Sequence, residues 1–304
     1  MIRLGVDFGG TKIEVAAIDE AGAFRFRRRA ANPRDYDGAI RAVNDLLAAA
    51  VAETGASGAP IGVGIPGSVS PVTGLVRNAN STWLNGRALA ADLAMATGRP
   101  ARVRNDANCF ALSEATDGAG AGADVVFGVI LGTGCGGGVV VGRELHDGAN
   151  GVAGEWGHTP LPWPTGEERG ERPCWCGRSN CLETWISGTA VCADYRATTG
   201  VAATGDVIVQ AMRGGDSAAS LVFARYVDRL ARGLAVVCDI LDPDVIVLGG
   251  GMSNTAELYD AAASAIGRHL FSDRFVTPLV AALHGDSSGV RGAAWLWPGR
   301  EARL

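Results

Sequence analysis

Of the chain's 27 basic side chains only Lys12 is a lysine, and arginine supplies the rest. The base composition of a gene suffices to produce that bias, so the place of Lys12 beside Gly9-Gly10-Thr11 carries little weight alone. No apolar run approaches the ~20 residues of a membrane-spanning helix, and no G-x4-G-K-[ST] sequence is present, which excludes a P-loop. The opening residues Met1 to Asp7 run straight into a strand pattern without a charged n-region, an apolar h-region or a small-residue cleavage site. A net charge of −5 gives no field for polyanions, so neither nucleic acid nor membrane is expected as a partner.

What is present is an ordinary globular composition, 47% hydrophobic and 19% charged. At 304 residues two domains are the default expectation. Seven cysteines, an odd number, fit a reducing compartment better than a disulfide framework, so a cytoplasmic location is expected.

Glycine is abundant, at 44 residues, and concentrated in turns. Residues Ile2–Asp7 and Ile13–Ile18 read as two strands around a glycine hairpin, with Phe24–Arg28 as a third. A helix follows, its apolar face carrying Tyr36, Ile40, Val43, Leu47, Ala50 and Val51, then a buried strand Ile61–Ile65 and a short strand near Ala101–Arg104. The second half restarts the same way: strand Val125–Leu131, a glycine hairpin and a returning strand Val139–Val141. Later come a helix carrying Tyr226, Leu230, Leu234, Val237 and Leu241, a stop at Asp242-Pro243, the strand Val245–Leu248 and Gly249-Gly250-Gly251. Two α/β halves with matching hairpins predict a duplicated fold with a ligand cleft between lobes. The hinge is placed near Asp106 to Gly122. The small lobe takes residues 1–118 with 289–304, of which Gly289 through Trp297 packs back on it as a helix, and the large lobe takes 119–288.

Gly132-Thr133-Gly134-Cys135-Gly136-Gly137 formally satisfies the dinucleotide fingerprint. That fingerprint needs a helix after its glycines, and Val139–Val141 reads as a strand, so the match is a decoy. Each hairpin is either a tight turn or a cradle whose backbone N–H groups converge on phosphate. Their repetition, each with a threonine (Thr11, Thr133), favours the cradle. Asp7 stands at the mouth of the first hairpin, where a carboxylate can hold Mg²⁺. Asp106, at a helix start after Asn105, is either an acid complementing the helix dipole or a catalytic base.

The segment Gly154-Glu155-Trp156-Gly157-His158, followed by Cys174-Trp175-Cys176 and Cys181-Leu182-Glu183, packs three thiols and an imidazole near two carboxylates. Free cysteines are often buried hydrophobes. The tight C-x-C-x4-C spacing in a loop rich in glycine and proline instead fits a closed structural zinc site.

Taken in order, Asp7-Phe8-Gly9-Gly10-Thr11-Lys12, Gly64-Ile65-Pro66-Gly67, Asn105-Asp106-Ala107-Asn108, Leu131-Gly132-Thr133-Gly134, Gly154–His158 and the Cys-Trp-Cys-Gly segment resemble the ROK family of sugar kinases and sugar-responsive repressors over essentially the whole chain. The resemblance implies an actin-like, hexokinase-like ATPase fold, with ATP and Mg²⁺, a structural Zn²⁺ and a homodimer. It implies Asp106 as catalytic base, and Asn80, Asn105, Glu155, His158 and Glu183 at the sugar. The nucleotide falls to Asp7, Gly9, Gly10, Thr11, Lys12, Gly132, Thr133, Gly134, Gly249, Gly250 and Gly251, and zinc to His158, Cys174, Cys176 and Cys181. The segments Asn78–Gly86, Pro160–Trp163 and His284–Gly289 resemble fructokinases and mannokinases most, implying transfer to the 6-hydroxyl of fructose. An N-acetylglucosamine kinase or glucokinase is the alternative. A sugar-sensing repressor would need a DNA-binding helix-turn-helix ahead of a first strand that here starts at residue 2. Asn180 stands where the family has glycine, and asparagine tolerates the left-handed turn this position needs.

Overall fold

Strand β1 (Arg3–Phe8) pairs antiparallel with β2 (Lys12–Ile18), which pairs antiparallel with β3 (Phe24–Ala31). The computed structural model describes residues 1–297. Helix α1 (Tyr36–Thr54) leads to β4 (Ile61–Ile65), a small ribbon of β5 (Ser68–Val69) and β6 (Val76–Arg77), helix α2 (Leu89–Thr97) and β7 (Ala101–Asn105). Helix α3 (Asp106–Asp117) precedes β8 (Val125–Leu131), β9 (Cys135–Val141) and β10 (Glu144–Leu145). Four helices then run in succession: α4 (Glu183–Ile186), α5 (Gly188–Thr199), α6 (Gly205–Arg213) and α7 (Ser217–Leu241). The chain continues through β11 (Val245–Gly249), α8 (Glu257–Ile266), β12 (Leu279–Ala281) and α9 (Ser288–Trp295).

The two five-stranded sheets have the orders β3-β2-β1-β4-β7 and β10-β9-β8-β11-β12. In chain order within each sheet both read third, second, first, fourth, fifth, which is the duplication the repeated hairpins predict. In each, the later strands are parallel: β4 to β1 and β7, and β11 to β8 and β12. Open parallel sheets offer ligand positions at the carboxyl ends of their strands, where loops diverge. Both expected nucleotide hairpins leave such ends, those of β1 and β8.

Two compact units make up the chain. One comprises Met1–Gly122, Gly138–Ala153 and the segment beginning at His284; the other comprises Ala123–Gly137 and Gly154–Leu283. Alternation along β1 divides the first unit's interior. Leu4, Val6 and Phe8 join Val43 and Leu47 of α1 in the core, while Gly5 turns to the opposite face. There α9 lies so close that a Cβ on Gly5 or Gly62 would overlap the carbonyls of Val290 or Ala293, and one on Gly292 the carbonyl of Cys109. The helix expected over Gly289 to Trp297 is present as Ser288–Trp295; residues 298–304 lie outside the described part. In the second unit α7 buries Tyr226, Leu230 and Leu234 as its periodicity predicts, and Asp242 at φ 46° ends it. Among the described residues no helix is long and apolar enough to cross a membrane.

Candidate active site

In the first unit the carboxyl ends of β1 and β7 carry Asp7 and Asn105-Asp106. Asp7 is pushed up to about 6, by burial first, then by the negative charges of Asp106 and Glu14, with Lys12 and Arg29 opposing. Gly289, at the start of α9, lets that helix approach: its Cβ position is 3.4 Å from Asp7 Oδ2. Gly9 and Gly10 lie in the three-residue loop between β1 and β2, and the Gly9 carbonyl accepts from Asn32 Nδ2 at 2.7 Å. Thr11 and Lys12 at the hairpin's tip are exposed.

Asn80 is exposed on the loop after β6. That loop is held by Asn85, which accepts from Ala79 N at 2.9 Å and donates to Ala79 O at 3.0 Å. Its next residue, Ser81, puts Oγ 3.3 Å from the Cβ position of Gly10, so loop and hairpin tip are neighbours. Asn105 is the N-cap of α3, accepting from Ala107 N at 2.9 Å and Asn108 N at 3.4 Å, and its Nδ2 donates to Gly67 O at 3.0 Å. The cap fixes the first helical residue, Asp106, whose carboxylate accepts from Ala107 N at 2.8 Å and is exposed.

In the second unit the hairpin Gly132-Thr133-Gly134 has its carbonyls engaged. Gly132 O accepts from Gly188 N at 2.7 Å, Thr133 O from Thr189 Oγ1 at 2.8 Å, and Gly134 O from Gly132 N at 3.0 Å. The start of α5 thus ties down two acceptors that would repel a phosphate, and the hairpin's own Gly132 N–H ties down the third. Gly250, at φ 83°, sits where a Cβ would be 2.6 Å from the Leu131 backbone, which brings Gly249-Gly250-Gly251 beside the same hairpin. As expected for a decoy, Cys135–Val141 after the glycines is a strand.

Glu155 is exposed and opens a single 3₁₀ turn, Trp156–His158, in which Trp156 Nε1 donates to Gly136 O at 3.2 Å. Glu183 begins α4. It accepts from Cys135 N through Oε2 at 2.9 Å and from Trp175 Nε1 through Oε1 at 2.7 Å. Neither donor is legible in the sequence, since they lie 48 and 8 residues from Glu183 and meet it only in the folded chain.

His158, Cys174, Cys176 and Cys181 bring their ligand atoms within 4.8 Å of one another. Cys174 Sγ is 3.7 Å from His158 Nδ1, and Cys176 Sγ is 3.6 Å from Cys181 Sγ. Ligands about 2.0–2.3 Å from a tetrahedral zinc are separated by about 3.5–3.8 Å, so these edges fit. The donor set, three sulfurs and one nitrogen without a carboxylate, also suits zinc. Asn180 takes the left-handed conformation, φ 62°, and its side chain accepts from Arg172 N at 2.8 Å, closing the loop that holds the thiols.

The ROK family's sequence profile matches residues 3–300. This chain belongs to the ROK family. It is 37% identical over 302 residues to an N-acetyl-D-glucosamine kinase of Pasteurella multocida, covering 97% of this chain and 99% of the relative. Among solved structures it is similar to a ROK hexokinase from Thermus thermophilus, with a TM-score of 0.86 and 30% identity over 97% of each chain. A ROK glucokinase from Streptomyces griseus, solved with glucose and AMPPNP, aligns with a TM-score of 0.78 and 30% identity over 97% of this chain and 98% of that one. The actin-like, hexokinase-like α/β fold expected from the resemblance is therefore the fold of this ROK chain.

Within each unit of the ROK chain the expected residues gather. Asp7, Gly9, Gly10, Lys12, Asn80, Asn105 and Asp106 sit around the carboxyl ends of the first sheet. The hairpin Gly132–Gly134, the Gly249–Gly251 turn, Glu183 and the metal quartet gather around the end of β8 and the loop that Glu183 joins to it.

Proposed function

We propose that this ROK-family chain is an ATP-dependent sugar kinase that phosphorylates the primary hydroxyl of N-acetyl-D-glucosamine. The similarity to a named N-acetyl-D-glucosamine kinase over nearly the full length of both chains carries the choice of sugar. It outweighs the three short segments that resemble fructokinases, so fructose gives way to the acetamido sugar that stood as the alternative.

Asp106 is the base in this reading. Its exposed carboxylate is held at the first turn of α3 by the Asn105 cap and accepts the hydroxyl proton as the oxygen attacks. Glu183, Glu155, His158, Asn80 and Asn105 orient the sugar by its hydroxyls. His158 turns Nδ1 to the thiol cluster, which leaves Nε2 as its sugar-facing nitrogen. Zinc, where bound, closes the four-ligand set as a structural staple without an open position.

The hairpins at Gly9–Lys12 and Gly132–Gly134 hold the nucleotide phosphates by backbone N–H groups, and Gly249–Gly251 lies against the adenosine. Asp7 holds Mg²⁺: burial and the charges of Asp106 and Glu14 outweigh Lys12 and Arg29 at this carboxylate, and a divalent cation would offset them. Mg²⁺, when bound, neutralises the charge that develops on the β- and γ-phosphates. We further propose that the kinase works in the cytoplasm as a homodimer, which sedimentation of the purified protein tests.

The decisive experiment is ADP release with Mg-ATP across N-acetylglucosamine, glucose, fructose, mannose and N-acetylmannosamine. The expected result is a kcat/KM for N-acetylglucosamine at least about tenfold above the others, which corresponds to about 1.4 kcal/mol of discrimination. A preference for fructose would overturn the substrate, and no turnover on any sugar would overturn the kinase. Asp106→Asn is expected to lower turnover by about 10²–10⁴ while sugar binding holds.

A further inference from the structure

Trp175 is the residue between two ligands of the metal quartet, Cys174 and Cys176. An aromatic ring in a glycine-rich loop usually finds a place in a core. This one is 61% exposed, so burial does not explain it. Two contacts do. Its indole meets the His158 imidazole edge to face, at 5.0 Å between centroids and 83° between planes. Its Nε1–H donates to Glu183 Oε1 at 2.7 Å, a short, charge-assisted bond.

We infer that Trp175 is a positioning residue, which fixes the Glu183 carboxylate to the metal loop and so sets Glu183 and His158 in one frame for the sugar. This rests on the sugar-kinase reading above. With ligands on both sides of it in the sequence, the Trp175 backbone is anchored at each end, and the indole has its direction set by the loop.

The consequence for Glu183 can be counted. An indole N–H donates only, and an ionised carboxylate accepts only, with two lone-pair sites on each oxygen. Trp175 fills one site on Oε1 and Cys135 N fills one on Oε2. One acceptor site remains on each oxygen, both aimed by a fixed donor. Glu183 is thereby set up to accept hydrogen bonds from two hydroxyls at neighbouring positions of a sugar ring. Without the indole, Oε1 is free to rotate away and the pair of sites is lost.

Trp175→Phe keeps a ring against His158 and removes the donor. The expected outcome is a sugar KM raised about tenfold, with kcat within about threefold, the KM for ATP unchanged, and one zinc per chain retained. In Glu183→Ala, which leaves the indole no acceptor at that position, the same Trp175→Phe change should add less than about twofold, because the two residues act through one bond. An unchanged sugar KM in Trp175→Phe, a rise accompanied by loss of zinc, or full multiplicative effects in the double variant would each overturn the proposal.

A readout independent of turnover is the ¹⁵N–¹H indole resonance of Trp175, assigned by its loss in Trp175→Phe. It should move in Glu183→Gln and on adding N-acetylglucosamine. A resonance indifferent to Glu183→Gln would overturn the positioning role. A wild-type protein that turned over no sugar while that resonance still responded to Glu183→Gln would overturn the kinase reading and leave the bond standing.

Discussion

Glu183 Oε2 lies 2.6 Å from the point at which residue 134 would carry a Cβ, so the carboxylate occupies space that exists only because Gly134 has no side chain. The same oxygen accepts from Cys135 N at 2.9 Å. Gly134 is not among the residues with positive φ, so an alanine there is free of backbone strain and acts by displacing the carboxylate.

Gly134→Ala is therefore expected to lower kcat/KM for the sugar at least about tenfold, the cost of one misplaced charge-assisted bond. Zinc content and thermal midpoint should be nearly unchanged. Kinetics, metal analysis and a melt on one preparation check all three.

The position of Asp7 predicts a stability that falls with rising pH. Burial, with the charges of Asp106 and Glu14, raises its pKa to about 6 from 3.8. The folded protein thus keeps a proton that the unfolded chain gives up, and this contribution is complete below about pH 4 and lost as the pH passes 6. Asp7→Asn is expected to be up to about 3 kcal/mol more stable than the parent at pH 8, with the gap closing below about pH 4. Urea unfolding without Mg²⁺ at the two pH values measures it, and Mg²⁺ should narrow the difference at pH 8.

Removal of a metal ligand is predicted to act on one substrate. Cys176→Ser opens the quartet that carries His158 and, through Trp175, steadies Glu183. The sugar KM should rise at least about tenfold, with the KM for ATP within about twofold, a split that isothermal titration with each ligand resolves. Zinc should fall below one per chain.

The second unit holds a buried ion network that its sequence conceals. Glu168 accepts from Arg229 at 2.7 Å and from Arg232 at 2.8 Å, while Asp194 pairs with Arg229 and, at 2.6 Å, with Arg172. Burial pushes Glu168 up, but the hydrogen bonds from Arg232 and Arg229 carry it down to about 2. Its contribution is therefore present above the unfolded pKa of 4.5 and lost as the pH falls towards 2. Glu168→Gln leaves two guanidinium groups short of a counter-charge and should cost about 3 kcal/mol at neutral pH. Urea unfolding should show the gap shrinking below about pH 4.

These residues mark where the sequence could be read and where it could not. The hairpins declared themselves because glycine and β-branched residues punctuate strands locally, and the metal quartet because Cys174, Cys176 and Cys181 fall within eight residues. Long-range satisfaction leaves no such mark. Arg229 and Arg232 look like the wet side of a helix, yet both are buried, since beyond the local pair of Arg232 with Asp228 they have partners 35 to 70 residues away on other elements. Asn105 carried the expectation of a sugar contact, and in the structure its side chain is a helix cap, a role that spacing does not reveal. The sugar itself was least legible, because hydroxyl-binding carboxylates are common to kinases for fructose, glucose and acetamido sugars.

Helix α9 covers one face of the first sheet and brings Gly289 beside Asp7, yet Ser288 follows Phe8 by 280 residues. A ribosome making this protein releases β1, β2 and β4 long before it makes the helix that covers them. Until α9 is made, Gly5 and Gly62 have no helix backbone against them, whereas β1, β2 and β4 are already in place. A nascent chain held short of Ser288 thus carries Asp7 without the helix that lies over it.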